Sequence, residues 1–152
     1  MTELYELMPQ LTQLSNALNR GHLVERAIKA TGLQLDRPAM SILLALQMAD
    51  RPLRIGEIAE RMQVVGPHVT RQVQELERRG LVQRIGDPND RRASLIEPTP
   101  VGADAAQLYL KTLLGWLSGA TADWPAQDRK DLSRLLARFT TDLSAHLATL
   151  ED

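Results

Sequence analysis

Pro67-His68-Val69-Thr70-Arg71-Gln72-Val73-Gln74-Glu75-Leu76-Glu77-Arg78-Arg79-Gly80 is the stretch on which the fold turns. At about 100° per residue, Val69, Val73 and Leu76 fall on one side of a helix. Pro67, Thr70, Arg71, Gln74 and Arg78 fall on roughly the opposite side. The first face can seat in a core. The second offers hydroxyl, guanidinium and amide groups, the types that read base edges and grip phosphates. Pro67 suits a first helical turn, Gly66 is an acceptable N-cap, and Gly80 stands where a C-terminal cap belongs.

Working outward, Ile55, Ile58, Ala59 and Met62 form an apolar stripe on a preceding short helix, and Gln63-Val64-Val65-Gly66 is a tight connection. A helix, a short turn containing Gly and a second helix make a helix-turn-helix, whose second helix enters the major groove of DNA. After Gly80, Leu81-Val82-Gln83-Arg84-Ile85 predicts a strand. Gly86-Asp87-Pro88-Asn89-Asp90-Arg91-Arg92 predicts a turn, and Ala93-Ser94-Leu95-Ile96-Glu97 a returning strand. A hairpin with a basic tip beside a helix-turn-helix is a wing.

Asp87-Pro88-Asn89-Asp90-Arg91-Arg92, followed by Thr99 and Gly102, resembles the wing signature of the MarR family of bacterial transcriptional regulators. That signature is Asp-x-Arg followed, after a fixed gap, by Leu-Thr. Asp90, Arg92 and Thr99 match it, while Pro98 stands at the Leu position. The run over residues 70–82 is also similar to the family's recognition helix and its exit. The resemblance implies a mainly α fold with a small β-hairpin wing. It implies a winged helix-turn-helix flanked by N- and C-terminal helices that interleave in a homodimer. It further implies a DNA-binding regulator, a repressor relieved by a small-molecule effector.

Composition sets the bounds. The chain of 152 residues is one domain's worth. It has no apolar run long enough for a membrane span, and its N-terminus lacks the pattern of a signal peptide, so a cytoplasmic protein is expected. Cysteine is absent, which removes disulfides, thiolate metal sites and thiol redox sensing. The net charge of −1 argues against a nucleic-acid binder, but the distribution argues back. Residues 51–92 carry nine Arg against six acids, and the remainder is net negative. Arg bonds guanine or phosphate in a bidentate way. So modest a surplus implies few phosphate contacts per subunit and a gain from a dimer.

Towards the N-terminus, Leu4, Leu7, Leu11, Leu14 and Leu18 form a heptad-like seam, read as intramolecular core or as a subunit interface. Pro9 predicts the helix start or a kink, Gly21 a tolerated weak point, and Gly32 the end of that helix. Asp36 caps the next, whose apolar side is Met40, Leu43, Leu44 and Leu46. Beyond the wing, Thr99 caps a helix running to residue 122, within which Gly115 and Gly119 weaken the pattern or permit a close crossing. Trp124 is read as an apolar plug at the following corner. Residues 126–150 form a final amphipathic helix with Leu132, Leu135, Leu136, Phe139, Leu143, Leu147 and Leu150 on one face. The organisation expected is a single domain, residues 1–152. Its winged DNA-binding region is 36–99, and its helical dimerisation regions are 1–32 and 100–152.

Arg92 is the foremost site residue, placed in a narrow minor groove where negative potential concentrates; otherwise it is a solvated turn arginine. Asp90 orients it by a salt bridge, as the resemblance also implies. Arg91 is a phosphate contact or merely exposed. Thr70, Arg71 and Gln74 are the base-reading candidates, with Pro67 and Arg78 on the same face and His68 beside it as a phosphate contact. Each is also an ordinary solvated helix position. Met40, Tyr109 and Trp116 are candidates for an effector pocket, with core packing as the plainer account. Asp87, Asn89 and Asp90 are better explained as turn formers than as a metal loop. No catalytic constellation, cofactor motif or metal motif is present, so an enzyme is not expected. Two other readings stay open: a winged adaptor that binds protein, and a ligand-binding protein that does not read DNA.

Overall fold

The computed structural model describes the backbone of residues 2–20 and 22–150, and side chains from residue 5 onward. In chain order the elements are α1 (Thr2–Arg20), α2 (Leu23–Ala30), α3 (Arg37–Ala49), α4 (Ile55–Met62), α5 (Gly66–Arg78), β1 (Val82–Asp87), β2 (Asp90–Pro98), α6 (Pro100–Ala120) and α7 (Ala126–Ala148). The fold is mainly α with one antiparallel hairpin, the class the sequence predicts. Where the sequence predicts one domain, the chain divides inside α6 into two compact units, Met1–Leu114 and Gly115–Asp152.

In the first unit, α3, α4 and α5 pack on one another around Ile42, Leu43, Leu46, Ile58, Val69, Val73 and Leu76. Val69, Val73 and Leu76 are fully buried, so the apolar side of α5 is the one periodicity assigned. Each such side chain contributes roughly 1.5–3 kcal/mol relative to exposure. Asp36 caps α3 as expected: its Oδ1 accepts the Ala39 N–H at 2.9 Å. At α4 the cap is reversed, with Glu57 Oε2 accepting the Arg54 N–H at 2.9 Å.

The turn of the helix-turn-helix is built differently from the expectation. Val65, not Gly66, is the N-cap of α5, and Gly66 is its first residue. The left-handed bend falls on Gln63, at φ 54°, where the N–H groups of Gln63 and Val64 close on the Glu60 and Ala59 carbonyls. Two satisfied carbonyls stand against the one or two kcal/mol that a side chain costs in that conformation.

The wing is also tighter. Its turn is only Pro88-Asn89; both strands reach further than the apolar pattern showed, so Arg91 and Arg92 lie in β2. Val82 pairs with Pro98 and Ile85 with Leu95 in regular register. Gly86 still faces Ser94, but Asp87 faces Asp90, so residues 91–93 bulge out of the ladder. A bulge re-aims the side chains it carries. Leu53, fully buried, adds a bridge to this hairpin: its N–H donates to the Ile96 carbonyl at 3.0 Å and its carbonyl accepts the Ile96 N–H at 2.7 Å. The wing is thereby joined to the residues just before α4.

Thr99 ties α6 to the exit of α5. Its hydroxyl donates to the Gly80 carbonyl at 2.6 Å and accepts the Gly102 N–H at 3.2 Å, while its own N–H donates to the Leu81 carbonyl at 3.1 Å. Gly80 takes φ 72°, the left-handed conformation that suits glycine after a helix.

The N-terminal helix of the sequence reading is two helices. His22, at φ 46°, separates α1 from α2; Gly21 lies outside the described residues. Pro9 is inside α1 and does not start it. Of the Leu seam, Leu7 and Leu11 are half-buried, Leu14 and Leu18 exposed, and the Leu4 side chain lies outside the described residues. In the second unit α7 has no buried residue, and Leu132, Leu135, Leu136, Phe139, Leu143 and Leu147 all stand open to solvent. Trp124 is exposed, not a plug.

Candidate nucleic-acid interface

Helix α5 presents two unlike sides. With Val69, Val73 and Leu76 buried, Pro67, Arg71, Gln74 and Arg78 are exposed, and His68 and Thr70 are half-buried. The Thr70 hydroxyl donates to the Gly66 carbonyl at 3.1 Å, which turns its hydrogen back into the helix and leaves oxygen lone pairs outward. Among the described residues, the side chains of Arg71 and Gln74 have no hydrogen-bond or ion-pair partner. They are unspent donors on an exposed helix face.

Arg78 is engaged. It lies against Glu75 one turn earlier, Nε donating to Oε2 at 3.0 Å and Nη2 to Oε1 at 2.6 Å, and this pair draws the Glu75 carboxyl below its usual range. Both partners are well exposed. Such a pair on a helix surface is worth only a few tenths of a kcal/mol, so a phosphate can displace Glu75 at little cost.

In the wing, Arg91 and Arg92 are exposed within the bulged segment, and neither side chain has a partner among the described residues. Asp90 acts through the backbone: its Oδ1 accepts the Arg92 N–H at 3.0 Å. That bond shapes the main chain under Arg92, in place of the side-chain salt bridge expected from the sequence.

The sequence reading missed what holds the wing. Asp87 is the one buried charged residue named among the described residues, its side chain 5% exposed. Its Oδ1 accepts the Asn89 N–H at 2.9 Å and its Oδ2 accepts Arg54 Nε at 2.9 Å, with Arg54 Nη2 closing on the same oxygen. The Asn89 amide, then the Arg54 guanidinium, hold the Asp87 carboxyl below its usual range. Turn chemistry explains the bond to Asn89. Nothing in the sequence shows the bond to Arg54, 33 residues away.

Beside it Arg51 donates to Glu57, Nη2 to Oε1 at 2.7 Å, and with the Arg54 N–H this lowers the Glu57 carboxyl to about 2. A depressed acid stabilises the fold above its unfolded pKa and loses that contribution as pH falls through the folded value. The stability difference between wild type and Glu57→Gln is therefore expected to hold constant above about pH 5 and to shrink towards zero near pH 2. Chemical denaturation across that range measures it. A difference that persists at pH 2 contradicts the assignment.

The effector-pocket candidates are not exposed pocket walls. Met40 is 1% and Tyr109 5% exposed in the first unit, where burial pushes the Tyr109 hydroxyl up, and Trp116 is half-buried in the second. A cleft of about 430 Å³ in the first unit is lined instead by Glu25, Ile28, Lys29, Leu33, Leu35 and Arg37. Among the described residues no cluster of His, Cys, Asp and Glu suits a metal ion, and no helix is long and apolar enough to cross a membrane.

A three-helix core with an exposed polar recognition face, and a hairpin carrying two unpaired arginines, define a winged helix-turn-helix protein. Residues 33–93 match the model of the MarR family, and the protein is a winged-helix DNA-binding transcriptional regulator. It is 27% identical to the uncharacterised HTH-type transcriptional regulator YxaD of Bacillus subtilis over 84% of this chain and 87% of that one. Its fold is that of a MarR family protein from Bacillus stearothermophilus, with TM-score 0.73 and 18% identity over 92% of this chain and 97% of the other. The same TM-score, at 15% identity over 91% and 98%, relates it to Streptococcus pneumoniae FabT solved in complex with DNA.

Proposed function

We propose that the protein is a homodimeric, sequence-specific repressor that binds a pseudo-palindromic duplex in the cytoplasm and is released by a small-molecule effector. Each subunit lays α5 in a major groove, with Thr70, Arg71 and Gln74 at base edges and Pro67, His68 and Arg78 against the backbone. The wing brings Arg92 to the flanking minor groove and Arg91 to a phosphate. The observation that carries this reading is the pairing of an exposed, unspent polar face on α5 with unpartnered arginines on the bulged wing. FabT, which shares the fold, was solved with DNA. No catalytic step is assigned to the chain.

The second copy is proposed from α7. Six large apolar residues in register on one exposed helix face lose free energy in water at roughly 25 cal/mol per Å² left uncovered. Tyr5, Met8, Leu14 and Leu18 of α1 are exposed as well. A twofold partner offering the same faces covers both. Half-sites then lie about one helical turn apart, ~34–36 Å. An effector acts by changing the spacing of the two recognition helices, because only one spacing fits the duplex. Met40, Tyr109 and Trp116 are the residues proposed to respond to it, from within the packing and not as an open lining.

Selection of bound sequences from a random duplex pool tests the reading, followed by titration of Arg71→Ala and Arg92→Ala on the selected site at fixed salt. Arg71→Ala is expected to lose about 1–3 kcal/mol, roughly 5- to 150-fold, and to relax the base preference at one position per half-site. Arg92→Ala is expected to weaken binding while leaving the core preference intact. No enrichment from the pool, or unchanged affinity in both variants, overturns the assignment.

A further inference from the structure

Arg54 is absent from every face so far given to DNA, yet its side chain reaches the bend of the wing. It precedes α4, on the extended segment where Leu53 bridges Ile96 of β2. Its guanidinium grips Asp87, the last residue of β1, through Nε at 2.9 Å and through Nη2. Asp87 is enclosed while Arg54 is 46% exposed along its side chain. A cleft of about 530 Å³ lies alongside, between Arg51, Pro52, Arg54 and Glu57 on one side and Asp87, Pro88, Asn89 and Leu95 of the hairpin on the other. The bulge that carries Arg91 and Arg92 begins at Asp87, where the register slips.

We propose that Arg54 and Asp87 form a positioning pair that sets the angle of the wing against the helix-turn-helix, and so decides whether Arg92 reaches the groove beside the site read by α5. The inference rests on the DNA-binding reading above. A two-stranded ribbon is marginal by itself and twists readily. Among the contacts that anchor this one are the Leu53–Ile96 bridge, the Arg84–Glu77 ion pair between β1 and α5 (Nε to Oε2, 2.9 Å) and, at the bend, the Arg54–Asp87 pair. The bridge uses backbone groups and fixes β2. Arg84–Glu77 holds the middle of β1, whereas the Arg54–Asp87 pair is the side-chain contact that acts at the slip in register. Because guanidinium is a rigid fork, it fixes direction as well as distance. With the pair broken, the ribbon pivots about the Leu53 bridge and Arg92 samples positions off the groove. Arg54 itself is not placed on the duplex.

A thermodynamic cycle separates positioning from general stability and from direct contact. Asp87→Asn keeps the acceptor for the Asn89 N–H but removes the charge and turns an amide N–H₂ or a single oxygen towards Arg54. Arg54→Lys keeps the charge and removes the fork. Each is measured alone and with Arg92→Ala, on a duplex selected by the wild-type protein, at a temperature where far-ultraviolet circular dichroism shows all variants folded. Asp87→Asn and Arg54→Lys are expected to weaken binding roughly tenfold in the wild-type background. In the Arg92→Ala background they are expected to do almost nothing, because the contact they position is already gone. Hydroxyl-radical footprints are expected to lose flanking minor-groove protection and to keep the protection given by α5. Equal losses in both backgrounds overturn the proposal, since Arg54 then acts on its own or through stability. Unchanged affinity in Asp87→Asn overturns it too. If Arg92→Ala has no effect of its own, the minor-groove reading fails instead, and that outcome is read before any pair variant is made.

Discussion

Gly102→Ala is expected to destabilise the protein by about 3 kcal/mol or more, against what helix propensity alone predicts. Gly102 is the third residue of α6, and Ala in a helix is favoured over Gly by about 1 kcal/mol. Packing reverses the sign. A Cβ built on Gly102 falls inside the Leu81 carbonyl and lies 3.3 Å from Leu43 Cδ2. The Leu43 methyl can shift by a few tenths of an ångström. The Leu81 carbonyl cannot, because it accepts the Thr99 N–H while Thr99 holds Gly80 and Gly102. To relieve the overlap, α6 must move off the exit of α5, and the Thr99 junction opens with it. For a chain of this size each kcal/mol is worth about 2–4 °C, so a fall in Tm of about 10 °C is expected by thermal denaturation. Gly56→Ala, on α4 with nothing within 4 Å of the added carbon, is the matched control and is expected to be neutral or mildly stabilising. A Gly102→Ala protein as stable as wild type contradicts the close approach.

Charge placed on the α7 face is expected to have the largest effect on DNA binding. Leu136→Asp with Phe139→Asp puts two carboxylates into the stripe proposed to meet a second copy, and burying either unpaired costs several kcal/mol. Because α7 has no buried residue within its own chain, the double variant has little reason to unfold the monomer. Sedimentation or light scattering at micromolar concentration is expected to show a single subunit. Affinity for the two-half-site duplex is expected to fall by 10²–10⁴, the gain that linking two half-site readers supplies. Affinity for a single half-site is expected to remain. A variant that stays dimeric, or a wild-type protein that is monomeric at that concentration, removes α7 from the interface.

Much of this arrangement is legible along the chain because it rests on short-range rules. A 3.6-residue period placed Val69, Val73 and Leu76 inward and Arg71 and Gln74 outward, and the structure keeps that division. Asp36 and Thr99 are caps by residue type and position, and both make the expected bonds. The wing was legible as two apolar runs around turn formers, though the apolar pattern ended each strand too soon. Arg91 and Arg92 are polar yet fall within β2, because the extent of a strand is set by backbone groups that the side-chain pattern does not report.

Local rules erred where two conformations differ by little. Gly66 was given the turn that Gln63 makes, since the cost of a left-handed non-glycine residue is small beside two satisfied carbonyls. The sequence marks the break at His22 only as a tolerated weak point at Gly21, because the Leu seam ends at Leu18 and says nothing of backbone direction beyond it.

The sequence alone determined the order of helices and wing, the polar face of α5 and the arginines at the wing, because each follows from neighbours within a few residues. Only the tertiary structure decided that Arg54 grips Asp87, that Leu53 joins β2, and that Gly102 must be glycine. Those contacts join residues 21 to 43 positions apart, whose meeting depends on how the intervening helices stack, and no period or motif along the chain carries that information.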